Sequence, residues 1–107
     1  CPAGWRVPDG GDNGVWAKSG YSTTGGYEYD TQGRTFNIAS PATTWYPAAG
    51  YLRSYYGTLD KEGTVGCYWS ASQDKYSAYY FHISGGNSFL VFDIHNSLGH
   101  SVRCAKE

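Results

Sequence analysis

The sequence predicts a small α+β domain, mostly antiparallel β with long irregular loops and little helix, whose N- and C-terminal strands are adjacent. Three observations predict it. From Cys67 onward, apolar and polar side chains alternate with a period of two. The stretch before it is dense in Gly, Pro, Asn and Asp turn signals. A cysteine also stands near each end, Cys1 and Cys104, and a bond between them requires the termini to lie side by side. At 107 residues the chain has the length of one domain, 1–107.

Composition narrows the function classes. Methionine is absent even at position 1, so the stretch reads as the C-terminal part of a longer or processed protein. No apolar run is long enough to span a membrane, and the start lacks a signal-like pattern. A net charge of -1 with 16% charged residues gives no electrostatic case for nucleic acid or anionic lipid. Tyr (11) and Gly (15) are abundant, and there are four Trp. Tyr with Gly, Ser and Asn is the composition of binding surfaces such as antibody loops. The same residues suit twisted strands and tight turns, so composition alone leaves both readings open.

The elements follow in order. Pro8-Asp9-Gly10-Gly11-Asp12-Asn13-Gly14 excludes a helix or strand interior. Asp12 or Asn13 is placed to cap a short helix over Val15-Trp16-Ala17-Lys18, ended by Gly20. A turn at Thr24-Gly25-Gly26 precedes an extended piece, Tyr27-Glu28-Tyr29-Asp30, and Thr35-Phe36-Asn37-Ile38 reads as a brief strand. Thr44 to Tyr51 is an aromatic, buried extended piece, and Leu59 to Gly66 a polar loop marked by Asp60-Lys61-Glu62-Gly63. Cys67 to Ser72 is a strand with Trp69 pointing into the core. In Ala78 to Ser84, Tyr79, Phe81 and Ile83 fall on one side and Tyr80, His82 and Ser84 on the other. Gly85-Gly86-Asn87 supplies a tight hairpin. The next strand, Phe89 to His95, puts Leu90, Phe92 and Ile94 on one face and Phe89, Val91, Asp93 and His95 on the wet one. A turn over Asn96 to Gly99 leads to a final strand, His100 to Cys104, with Val102 and Cys104 inward. The result is an antiparallel meander whose last strand returns to the first.

Three cysteines leave one over. The expected bond is Cys1–Cys104, which implies an oxidising compartment. A metal site is the rival, but no CxxC or HxxxH pairing supports it, and no metal or other cofactor is expected. Cys67 then reads as a small buried side chain, since no base stands near it in sequence. The four tryptophans, Trp5, Trp16, Trp45 and Trp69, read as core, because each buries a large area. Arg6 and Arg103, in matching terminal strands, read as braces for the strand pair or a nearby carboxylate.

Four motifs in order resemble one family: Cys1-Pro2-Ala3-Gly4-Trp5-Arg6-Val7-Pro8, Trp45-Tyr46-Pro47-Ala48-Ala49-Gly50-Tyr51, Gly66-Cys67-Tyr68-Trp69-Ser70-Ala71-Ser72 and Ser101-Val102-Arg103-Cys104. Together they resemble the Fibrobacter major paralogous domain, common in surface and phage proteins of gut bacteria. No single motif is decisive; the likeness lies in all four and spans nearly the whole chain. The resemblance implies a C-type lectin-like fold, found in domains that attach to sugars, glycosaminoglycans or proteins. It also points to a narrower group, the variable proteins of diversity-generating retroelements, which randomise chosen adenines near the C-terminus. Tyr76 to His100 holds the assortment of residues that such randomisation produces, although ordinary strand residues account for it as well.

The expected function is therefore recognition or adhesion, not catalysis. The candidate ligand-binding strand residues are Tyr76, Tyr80, His82, Ser84, Phe89 and Val91. Asp93 and His95 continue them, and Asn87, Asn96, Leu98 and His100 add the turns. A rigid sheet presents such side chains with their ordering cost already met. Alternatively, Phe89 and Val91 cover a second layer of loops within the same chain. A calcium-dependent sugar site lacks the Asn/Glu or Gln/Asp pair around a proline and the Trp-Asn-Asp triplet; Asp9, Asp12 and Asn13 fit Asx turns equally well. Sugar stacking on Tyr55, Tyr56 or Tyr76 remains open without a metal. His82 and His95, expected to face each other across the hairpin, lack a fixed third ligand, Asp93 being the nearest candidate, and no nucleophile elbow or triad is present. The expected partner is a cell-surface protein or carbohydrate, with no nucleic acid and no membrane insertion, and homo-oligomers arise through the parent protein. The expected setting is extracellular, on a bacterial surface or a phage virion. The rival reading is an architectural pilin-like or virion subunit domain whose hairpin packs against neighbouring subunits.

Overall fold

The computed structural model describes residues 1–11, 14–18, 27–28, 33–39, 42–73, 77–84, 87–93 and 98–106; 27–28, 34–39, 42–43 and 87–93 are described as backbone alone. The chain is mostly antiparallel strand with very little helix. In order it forms β1 (Trp5–Arg6), α1 (Val15–Lys18), β2 (Tyr27–Glu28), β3 (Gly33–Ala39), β4 (Ala42–Pro47) and β5 (Tyr51–Leu52). Then come β6 (Leu59–Asp60), β7 (Val65–Gln73), β8 (Ala78–Ser84), β9 (Asn87–Asp93) and β10 (Ala105–Lys106). The ladders are β1–β10, β2–β3–β4, β5–β6 and β7–β8–β9.

The expected bond joins the ends. Cys1 and Cys104 are disulfide-linked with Cα atoms 5.7 Å apart. Beside the bond, Trp5 pairs with Lys106 and Arg6 with Ala105. The last strand therefore does return to the first, but later than expected: residues 102–104 are not strand, and Val102 is 57% exposed instead of inward. Arg103 donates to the Trp45 carbonyl and to Thr44 Oγ1 at 2.6 Å, and its guanidinium lies 4.4 Å from the centre of the Tyr46 ring. It braces the end of the chain against β4.

The core sits between α1, β4 and one face of β7–β8. Trp16, Tyr46, Tyr68, Phe81 and Ile83 form it. Phe81 stacks on Trp16 at 5.0 Å, while Tyr46 meets Tyr68 edge-on at 4.8 Å. Aromatic burial creates a need for polar partners, and Trp16 Nε1 donates to the Tyr46 hydroxyl at 3.1 Å. The Tyr68 hydroxyl donates to the Pro47 carbonyl at 2.5 Å, and burial pushes its pKa up to about 12. The alternation of β8 holds over its second half: Phe81 and Ile83 are wholly buried and Tyr80, His82 and Ser84 half-buried, whereas Tyr79, expected on the inner face, is half-buried too. Each fully buried side chain of this size contributes about 1.5–3 kcal/mol. Gly66 lets β7 approach this layer, since a Cβ there would lie 2.8 Å from Ile83 Cγ1 and 2.9 Å from the Pro47 carbonyl oxygen.

Three further expectations need correction. Trp69 is not core: it pairs with Tyr80 across the ladder, so it lies on the face opposite Tyr68 and Phe81 and is only half-buried. Of the other tryptophans, Trp16 is 2% exposed, but Trp5 and Trp45 are 45% and 36% exposed. Leu59 to Gly66 is not one loop. Leu59–Asp60 pairs with Tyr51–Leu52, and Val65–Gly66 already belongs to β7, leaving the turn only at 61–64. The capping residues Asp12 and Asn13, and Gly20, lie outside the described residues.

One connection positions the site. The segment 99–101 runs between β5 and β7. Gly99 exchanges hydrogen bonds with Leu52 at 2.7 and 3.0 Å, and Ser101 bridges Cys67 and Trp69 at 3.0 and 2.9 Å. His100 is thereby held between the β5–β6 hairpin and the outer face of β7.

Candidate binding site on the outer face of β7 and β8

The face opposite the core carries Cys67 and Trp69 from β7 against His82 and Tyr80 from β8, in the register Cys67↔His82 and Trp69↔Tyr80. Residues directly opposite in an antiparallel ladder share a face. Cys67 Sγ accordingly lies 3.7 Å from His82 Nδ1. The residue that lacked a neighbouring base in sequence has one across the strand pair. Burial holds the His82 pKa below its ordinary value, so the ring is neutral near pH 7.

His100 lies across this face. Its ring centre is 4.2 Å from Trp69, 4.6 Å from Tyr80 and 6.1 Å from Tyr51. Both of its ring nitrogens are shielded from solvent. Trp69, the expected core residue, thus forms the bed on which an aromatic surface is built.

The β5–β6 hairpin forms the opposite wall. Its turn is closed by Arg53 N donating to the Thr58 carbonyl at 3.0 Å and Gly57 N to the Arg53 carbonyl at 2.9 Å. Gly57 has φ +60°, a left-handed conformation that favours glycine. Arg53 donates to Asp60 Oδ2 from Nε at 2.8 Å and Nη2 at 2.6 Å. The Arg53 guanidinium holds the Asp60 carboxyl below its ordinary pKa, and Asp60 in turn raises that of Arg53. The wall is therefore close to electrically neutral. At the tip, Tyr55 and Tyr56 are 92% and 84% exposed, matching the expectation of exposed tyrosines there.

Between these walls is a cavity of about 370 Å³. Tyr51, Arg53, Ser54 and Tyr55 line it from the hairpin, Cys67, Tyr80 and His82 from the sheet, and Leu98 and His100 from the segment leading to the C-terminus. Its surface is mostly apolar, with hydroxyl and imidazole groups among the aromatic faces.

Four of the expected binding residues, Tyr80, His82, Leu98 and His100, meet at this cavity. Ser84 lies at the end of β8, paired with Asn87, and is not among the lining residues. Phe89 pairs with His82, Val91 with Tyr80 and Asp93 with Ala78 in the β8–β9 register. Tyr76, His95 and Asn96 lie outside the described residues. The expected facing of His82 and His95 is corrected by the register, which puts Phe89 opposite His82 and Asp93, four positions away, opposite Ala78. Sequence reasoning missed Tyr51, Arg53 and Ser54. The Tyr55-Tyr56-Gly57 run is the one signal that marked their hairpin.

The acidic cluster near the N-terminus is also clearer. Asp9 is held by Arg6 in a two-pronged pair, at 3.0 and 3.1 Å. The Arg6 guanidinium lowers the Asp9 pKa, and both carboxylate oxygens are engaged. Arg6 is thus the brace for a nearby carboxylate that the sequence indicated. Among the described residues, no group of three or more His, Cys, Asp or Glu side chains is placed to hold a metal ion. No family model, curated protein or solved structure matches the chain.

Proposed function

We propose that this chain is a non-enzymatic recognition domain of C-type lectin-like fold. It acts in adhesion, binding a cell-surface protein or glycan through the outer face of β7 and β8 and the adjoining β9 hairpin. The observation that carries the reading is the convergence of Tyr80, His82, Leu98 and His100 on one aromatic cavity. These residues come from two separate stretches of sequence, and a purely structural role would not require them to border one concave surface. Rigid aromatic side chains contribute large contact area at low entropy cost. The terminal disulfide supports an extracellular setting, on a bacterial surface or a virion. The same face is the natural target of retroelement diversification, since its side chains point away from the core that folds the domain.

The test is the variant carrying His82→Ala, Phe89→Ala, Asp93→Ala and His95→Ala, assayed for binding to intact bacterial cells and to a glycan array. The reading expects an unchanged melting temperature and lost binding. Unfolding of the variant would instead place these residues in the core. Concentration-dependent self-association that buries them, measured by sedimentation, would favour the architectural subunit role. Retroelement diversification has its own test: a near-identical template repeat beside a reverse transcriptase gene, with mismatches confined to template adenines.

A further inference from the structure

We infer that the cavity between the β5–β6 hairpin and the β7–β8 face takes an uncharged, hydroxyl-bearing ring, such as the terminal hexopyranose of a glycan, without a metal ion. This rests on the recognition reading above and specifies its ligand. Three observations carry it.

The first is charge. Among the described lining residues Arg53 is the one permanently charged group, and Asp60 pairs with it at 2.6–2.8 Å, while burial favours the neutral form of His82. An anionic or cationic ligand would give up its hydration without meeting an opposite charge.

The second is the kind of polar group present. Ser54, Tyr55 and Tyr80 bring hydroxyls, and His82 a neutral imidazole. Each of these groups both donates and accepts. A ligand hydroxyl also does both, whereas a carboxylate only accepts and an ammonium only donates. The lining therefore matches a ligand with several hydroxyls.

The third is shape. The cavity, about 370 Å³, is concave and at the small end of the range for compact ligands. Aromatic rings line it: Tyr80 beside His100 at 4.6 Å, Tyr51 6.1 Å from His100, and Tyr55, 92% exposed. A pyranose presents C–H groups on its faces and hydroxyls around its edge. Apolar faces on tyrosine rings, with polar edges toward Ser54 and His82, satisfy both parts of such a ring.

The experiment is a titration of the 107-residue chain with methyl glucopyranoside, galactopyranoside and mannopyranoside, followed by amide NMR shifts in buffer with EDTA. At least one should saturate with a Kd on the order of 1–10 mM, as expected of so small a ligand. The shifts should centre on Ser54, Tyr55, Tyr80 and His82. Tyr55→Ala, at a tip too exposed to affect folding, should weaken binding about tenfold, and Tyr80→Ala further. Glucuronate should bind no tighter than methyl glucopyranoside. No saturation up to about 100 mM by any of the three overturns the inference, and so does binding abolished by EDTA or a preference for glucuronate. If the hexosides fail but the chain still binds bacterial cells in a His82-dependent way, the recognition reading survives and this ligand class alone falls. If cell binding also fails, the recognition reading fails independently.

Discussion

Removing the terminal disulfide is the sharpest perturbation of the fold. In the doubly substituted variant Cys1→Ala, Cys104→Ala, the link spanning 103 residues is lost from the unfolded chain as well as the folded one. In the chain-entropy model, a closed loop of that length contributes about 4.7 kcal/mol at 25 °C. Little else joins the ends. Two register pairs connect β1 to β10, and the nearby Trp5 and Val102 are 45% and 57% exposed, so they add little buried area. A domain of this size has a total stability of about 5–15 kcal/mol, so the loss is a third of it or more. At about 4–8 °C per kcal/mol, the melting temperature should fall by roughly 20–35 °C. Urea unfolding followed by tryptophan fluorescence measures this, with Cys67 retained in both proteins. The m-value should rise, because the unfolded chain expands without its cross-link. A loss below about 1 kcal/mol at unchanged m would refute the view that the bond holds the two ends together.

Three other outcomes follow from the packing and the site. Phe81→Ala removes a fully buried ring stacked on Trp16, and should cost about 3–5 kcal/mol by urea unfolding; a cost under about 1 kcal/mol would mean that the core lies elsewhere. Gly66→Ala forces a methyl group to within 2.8 Å of Ile83 and 2.9 Å of the Pro47 carbonyl oxygen, and should destabilise by about 1–3 kcal/mol in the same assay; a neutral result would contradict the close approach of β7 to β4. His82, facing Cys67 and near Tyr80, has its pKa held below the ordinary 6.5 by burial, so the unfolded chain takes up the proton first. Its contribution is intact above pH 6.5 and is lost as pH falls toward the folded value. Unfolding measured at about pH 7.5 and 5.5 should show lower stability at the acid end, and His82→Gln should flatten that slope; an unchanged slope contradicts the assignment.

What could be read from the sequence was set by the length of each regular segment. β8 was legible because its seven residues alternate, and of the face the alternation marked, Tyr79, Phe81 and Ile83, the last two are wholly buried and Tyr79 is half-buried. The short helix Val15–Lys18 was legible from the turn signals around it. β5 and β6 were not, because two-residue strands carry no period, and their pairing is fixed by the turn between Arg53 and Thr58. Trp69 was misplaced because apolar side chains occupy both parities of β7, so that alternation alone does not choose a face. The register with β8 decides it, putting Tyr68 opposite Phe81 and Trp69 opposite Tyr80. The candidate site was legible in half for a related reason. Tyr80, His82, Leu98 and His100 lie in or beside the patterned C-terminal stretch, whereas Tyr51, Arg53 and Ser54 reach the same cavity from an unpatterned hairpin upstream. The closeness of Cys67 to His82 likewise depends on register, which no spacing in the chain reveals.

On the proposed function, ligands enter at the outer face of β7 and β8. An amide NMR screen of the intact chain, using a library of small neutral aromatic and hydroxylated fragments, tests it most directly without presupposing a natural ligand. Shift changes concentrated at Tyr80, His82, Leu98 and His100 are the predicted result. Fragments that leave those four amides unmoved while binding elsewhere would contradict it.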